Sequence, residues 1–70
     1  MREPETRTVK LWLLEDSPKA RKFRVHPPGD PNNREVWVPR SVTHHLSNHG
    51  GTPPACAVEV EEWWLEKNSL

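Results

Sequence analysis

Four side chains with metal-ligand chemistry lie near one another in this sequence: His44, His45, His49 and, further on, Cys56. His45 and His49 stand at i, i+4, the spacing that puts two imidazoles on one side of a helix, where zinc takes nitrogen ligands. Gly50-Gly51 and Thr52-Pro53 follow at once and would end such a helix, and no carboxylate is close in sequence to complete a ligand set. The preferred reading is therefore loop and helix-end histidines in water, with no metal and no cofactor.

A second grouping is cationic. Lys19-Ala-Arg-Lys-Phe-Arg24 reads as a basic strand, with Arg34 and Arg40 available beside it. Lysines and arginines among exposed aromatics hold a phosphate chain while bases stack on the rings. The same cations on an exposed strand also deter edge-to-edge aggregation, which is their plainer role. The third grouping is aromatic: Trp12, Trp37, Trp63 and Trp64, a heavy load for 70 residues. Trp12 and Trp37 fall on the nominally outer faces of their strands, and Trp63 and Trp64 cannot both point the same way on a helix. A C-terminal helix laid over that outer face would cover Trp12 and Trp37, the common fate of aromatics in small cores. Any left uncovered form a hot-spot surface for a partner or a second copy. The candidate binding residues are Trp37, Arg40, Arg21, Lys22, Arg24, Trp12, Trp63 and Trp64.

Catalysis finds little to work with, and no enzyme is expected. There is no Ser-His-Asp grouping and no Gly-rich phosphate loop. Glu59, Glu61 and Glu62 sit near a helix start, where carboxylates have a structural reason to be. Cys56 and His49 can be drawn as nucleophile and base, but the alternation around Cys56 buries it as an inert core thiol.

The elements that must position these groups are short. Residues 8–15 read as a first strand, with Val9, Leu11 and Leu13 on one face and Lys10, Trp12 and Leu14 on the other. Asp16-Ser17-Pro18-Lys19 is a turn. Residues 20–26 form a second strand with Phe23 and Val25 inward, and 27–33 an irregular loop. Residues 34–39 form a third strand, with Val36 and Val38 on one face, and Pro39, which cannot donate to a ladder, belongs at an edge, a bulge or the strand's end. A one-turn helix is expected over 41–46 and a flexible loop over 47–54. A fourth strand covers 55–60 with Cys56, Val58 and Val60 inward, and a helix covers 61–68. Residues 1–7 are read as a disordered tail and 8–70 as a single small β domain. The expected fold is mainly β: a small antiparallel sheet or partly open barrel of about four strands, with a short helix after strand three and a C-terminal helical turn.

Seven Val, six Leu, four Trp and one Phe suffice for one thin core, not for a core and a deep cleft. The lone cysteine permits no internal disulfide, and the charged N-terminus carries no apolar run of a signal peptide. A soluble, cytoplasmic protein is expected, with no membrane association and with homo-oligomerisation as a way to complete the core. Net charge is zero but uneven. Residues 17–40 hold six basic against two acidic side chains, and 57–70 hold four acidic against one basic. A protein built to coat nucleic acid would usually be basic throughout.

Residues 35–41, Glu-Val-Trp-Val-Pro-Arg-Ser, and 58–70, Val-Glu-Val-Glu-Glu-Trp-Trp-Leu-Glu-Lys-Asn-Ser-Leu, resemble short, mostly uncharacterised accessory proteins of phages and prophages. In those proteins a strand ends in Trp-hydrophobic-Pro-Lys-Ser, and a later hydrophobic strand runs into a Trp-containing tail with Glu-Lys. Arg40 in place of Lys and the doubled Trp63-Trp64 are departures. The resemblance covers roughly residues 8–70. It implies a protein of the host-cell cytoplasm that binds and inhibits or sequesters a host component, a protein or a nucleotide-type ligand. Anti-CRISPR proteins and sponges for nucleotide signals act in this way. Single-stranded nucleic-acid or nucleotide binding is the alternative reading, and a structural oligomeric subunit is a third.

Overall fold

An eleven-residue strand, β1 (Thr6–Asp16), carries the other elements on its two edges. The computed structural model describes residues 3–70. After β1 come β2 (Ala20–Arg24), β3 (Glu35–Pro39), a 3₁₀ turn (Arg40–Val42), β4 (Thr43–Gly51), β5 (Pro54–Glu61) and helix α1 (Glu62–Lys67). The strands form one antiparallel sheet in the order β3-β2-β1-β5-β4. No helix of the described residues is long and apolar enough to cross a membrane.

Register decides which side chains meet. Val9 lies opposite Val58, Leu11 opposite Cys56, Leu13 opposite Phe23 and Phe23 opposite Val36, so one face of four strands is continuously apolar. On that face Leu11, Phe23, Val38, Cys56, Val58 and Val60 are buried, and Val9, Leu13 and Val36 pack against them. The expected inward positions of β1, β3 and β5 are thus observed, as is Phe23. Val25 is only half-buried, because β2 ends at Arg24 and Val25 lies in the bend beyond it.

The cover over this face comes from two places. Val42, in the 3₁₀ turn between the two outermost strands, is buried in the core, and α1 adds Trp64 and Leu65. A six-residue helix is too short to be stable alone, so tertiary contacts must hold it. Its exit is tied down by arginines from elsewhere in the chain. Arg34 Nη2 donates to the carbonyls of Asn68 and Ser69, each at 2.9 Å, and Arg7 Nη2 donates to that of Leu70 at 2.7 Å. At the other end, Glu62 N–H donates to the Glu5 carbonyl at 2.8 Å.

Several expectations are corrected. The described residues form five strands, not four, and the extra one is β4. Most of the segment expected as a one-turn helix over 41–46, and most of the expected loop over 47–54, is strand; only the 3₁₀ turn Arg40–Val42 is helical. The physical reason is pairing: Leu46 lies opposite Val58 and Asn48 opposite Cys56, so β5 satisfies the backbone of a segment with little helical preference. The reversal is displaced to the end of β4, where Gly50 and Gly51 take φ of +83° and +105° that side chains disfavour. β1 also opens before residue 8. Thr6 and Arg7, assigned to the tail, pair with Glu61 and Val60, whereas Met1 and Arg2 lie outside the described residues.

Leu65 is fully buried beneath the sheet, and its truncation tests whether α1 is integral to the core. Leu65→Ala is expected to cost about 2–5 kcal/mol, a large share of a small domain's stability. The midpoint of urea unfolding measures this. An unchanged midpoint would mean that α1 does not stay docked.

Candidate functional site

Because α1 and Val42 cover one face, the described residues leave the opposite face without a layer. Period-two alternation sends the partners of the core residues there. Trp12 lies opposite both Arg24 and Ala55, Lys10 opposite Ala57, and Trp37 opposite Lys22. Trp37 is 46% exposed at the sheet edge, and Trp12, near the centre, is half-buried. The expected covering of Trp12 and Trp37 by the C-terminal helix does not occur, because α1 packs on the valine face. The two indoles sit two strands apart and two residues offset, about 12 Å at the backbone on a flat sheet.

Each indole has a cation of its own. Lys10 Nζ lies 5.7 Å from the Trp12 ring centroid and Lys22 Nζ 5.9 Å from that of Trp37. Lys22 also pairs with Glu35 at 3.1 Å. Lys10, Lys22 and Arg24 thus stand beside the aromatic pair, with Glu15 opposite Lys22 and Glu35 opposite Arg24 on the same face. The rings and cations suited to flat, negatively charged ligands are therefore interleaved with carboxylates. Beside Trp12 the small side chains Ala55 and Ala57 leave a groove of about 630 Å³, which Thr8, Val9, Lys10 and His49 also line. Lys10, Ala55, Ala57 and His49 were not singled out as binding residues by sequence. The alternation that put Lys10 beside Trp12 was the signal for Lys10; the groove needs β4 in place beside β5 and had none.

The other candidate residues lie elsewhere. Arg21 shares the face of Phe23 and Val38, not that of Lys22 and Arg24. Arg40 leaves the end of β3, donating from Nε to the Ser17 carbonyl at 2.9 Å and pairing with Asp16, which Arg21 Nε approaches at 3.6 Å. Trp64 is a core residue, while Trp63 is 52% exposed on α1. The eight candidates therefore divide. Trp12, Trp37, Lys22 and Arg24 share the uncovered face, Arg21 and Arg40 form a separate group, and Trp63 and Trp64 belong to α1.

The histidines do not converge. His44 Nε2 donates to Glu61 Oε2 at 3.0 Å, and His45 Nε2 lies 3.1 Å from Ser47 Oγ. Among the described residues no three His, Cys, Asp or Glu side chains are placed to share a metal ion. Cys56 is fully buried; burial pushes its thiol pKa up, partly opposed by the nearby charge of Arg21. A thiol so placed is a poor nucleophile. Comparison with known proteins finds no matching family model, no matching curated protein and no matching solved structure.

Glu61 joins β5 to α1 and accepts from Trp63 Nε1 at 2.6 Å as well as from His44. The indole bond, and then the His44 bond, hold its carboxyl pKa below the ordinary carboxylate value, with desolvation opposing. A lowered folded-state pKa contributes stability that is present above the unfolded value and is lost as pH falls through the folded one. Trp63→Phe is expected to move the Glu61 titration upward, toward the ordinary range, as read by carboxyl ¹³C NMR. A titration identical to that of the parent protein would show that the indole bond is not formed in solution.

Proposed function

We propose that this protein is a non-enzymatic binder that sequesters a host component through the uncovered face of its sheet. The ligand class that this face fits best is single-stranded nucleic acid. The observation that carries the reading is the pair of accessible indoles, Trp12 and Trp37, on a sheet face framed by Lys10, Lys22 and Arg24. Sheets that bind single strands work this way: aromatics on the face stack two or three bases, and cations beside them meet the phosphates. The phage-accessory context implied by residues 35–41 and 58–70 agrees with a small protein that acts by occupying something of the host.

A host protein is the second reading, favoured by the zero net charge and by the pairing of Lys22 with Glu35, which reduces the cationic field beside Trp37. Exposed Trp and nearby Arg are also the residues that dominate protein interfaces. The two readings part on salt. Phosphate contacts release counterions, so affinity for a single strand falls by about 0.7 log units per contact for each tenfold rise in salt.

Titration with an oligothymidylate is expected to quench tryptophan fluorescence, with affinity falling steeply as salt rises. Trp37→Ala is expected to weaken binding about tenfold, the lower part of the roughly 1–3 kcal/mol that base stacking contributes. Arg24→Gln is expected to flatten the salt dependence by about one contact. Circular dichroism checks that both variants keep the sheet. No quenching by the oligonucleotide, or binding indifferent to salt, would overturn the nucleic-acid reading; a captured protein that Trp37→Ala loses would establish the second.

A further inference from the structure

We propose that the notch between Arg21 and Arg40 is a separate binding site for a phosphate-type oxyanion. It lies where β3 passes through the 3₁₀ turn into β4, and is lined by Arg21, Arg40, Thr43, His44, His45 and Leu46. Its volume is about 220 Å³. That is below the roughly 300–1,000 Å³ of pockets that enclose drug-sized molecules, which fits one polyatomic anion rather than a base with its sugar.

Charge is the reason for an anion. Two guanidinium groups share one carboxylate, since Asp16 Oδ1 is the acceptor facing both Arg40 Nη2 and Arg21 Nε. One negative charge against two leaves a net +1, and none of the six lining residues is acidic. Glu61, the carboxylate paired with His44, is already engaged by that ring and by Trp63. The Arg21 side chain is only 17% exposed, on the core face opposite Val38, and its one acidic partner stands at 3.6 Å. A mostly covered guanidinium so weakly paired gains from a second acceptor. Arg40 is braced for such a role: Nε is fixed on the Ser17 carbonyl and one Nη on Asp16. Its other Nη remains for a ligand, and planar forks of this kind are well matched to tetrahedral oxyanions. The Thr43 hydroxyl donates to the Pro39 carbonyl and holds the far wall in place at 3.0 Å.

This site does not depend on the tryptophan face, and the experiment separates them. ¹⁵N-labelled protein is titrated with inorganic phosphate, then with a nucleoside 5′-monophosphate and with the same nucleoside lacking phosphate. The expected result is saturable movement of the Arg21 and Arg40 Nε–H signals and of the Thr43–His45 amides. Arg40→Gln is expected to weaken phosphate binding at least tenfold, and Trp37→Ala to leave it unchanged. Tighter binding of the monophosphate than of inorganic phosphate, with no response to the nucleoside, assigns the anion to a nucleotide; equal binding assigns it to free phosphate. Arg21→Gln is expected to weaken phosphate binding likewise, and Arg21→Lys, which keeps the charge in the covered position, to keep the fold while losing part of that binding; full binding by both would overturn the site. Shifts that never saturate, shifts spread equally over Lys10 and Arg24, or undiminished binding by Arg40→Gln would overturn the site.

Discussion

Leu65 and Trp64 have to be buried somewhere, and a helix of six residues can bury them against only one side of a sheet. β5 runs into α1 without a loop, so the side is fixed by the direction in which the chain leaves Glu61. That side is the one carrying Val58, Val60, Leu11 and Phe23, and the fully buried residues of the sheet all belong to it. The opposite face receives no second layer from the described residues. Its accessible tryptophans follow from a shortage of covering material, since a domain of this size has one core's worth of apolar side chains. The arginine clasp on α1 serves the same constraint. By holding the carbonyls of Asn68, Ser69 and Leu70, Arg34 and Arg7 keep the exit of the short helix docked on the face it covers.

The strands whose apolar residues alternate were legible in the sequence. Val9-Lys-Leu-Trp-Leu13, Val36-Trp-Val38 and Cys56-Ala-Val-Glu-Val60 each state their own two faces, and those faces are the ones observed. β4 was not legible, because Thr-His-His-Leu-Ser-Asn-His-Gly-Gly holds a single large apolar residue and shows no period. It is a strand because β5 offers it a ladder, which is a tertiary fact. The division between Trp63 and Trp64 was hidden for another reason. Six residues make fewer than two turns, too few for a hydrophobic period to choose a face. Arg21 is the opposite case. The alternation that puts Phe23 inward puts Arg21 on the same side, but grouping it by charge with Lys22 and Arg24 hid this.

That separation puts the cations in two settings. Lys10 and Lys22 lie against aromatic rings on the uncovered face, and Lys22 and Arg24 there stand beside Glu35. Arg21 and Arg40 are held by backbone and carboxylate at a surface notch, where their geometry is fixed. The acidic residues are distributed to match. Glu35 partners a lysine of the open face, Asp16 ties the two arginines together, and Glu61 is occupied by His44 and Trp63 at the start of α1. A net charge of zero is therefore compatible with local sites of definite sign.

These features meet in Trp37-Val38-Pro39-Arg40. Trp37 points to the uncovered face, Val38 into the core, Pro39 stands opposite Ala20 on the sheet's edge strand, and Arg40 turns into the notch. Four successive residues thus go to four different environments, and the strand's two-residue period sets the first three. A slip of one residue in the β2–β3 register would send Trp37 into the core and Val38 to solvent, reversing every assignment at once. Pro39 guards against this at its end of the strand. Opposite Ala20 it occupies a non-hydrogen-bonded position, where its missing N–H costs the ladder nothing and Arg40 N–H makes the next bond of the same register, to the Lys19 carbonyl at 3.0 Å. A slip would put it where the ladder needs an N–H. The edge strand therefore runs through Pro39 to Arg40, whose side chain is then set by the Ser17 carbonyl and Asp16, so that core packing, aromatic face and arginine notch adjoin in one short segment.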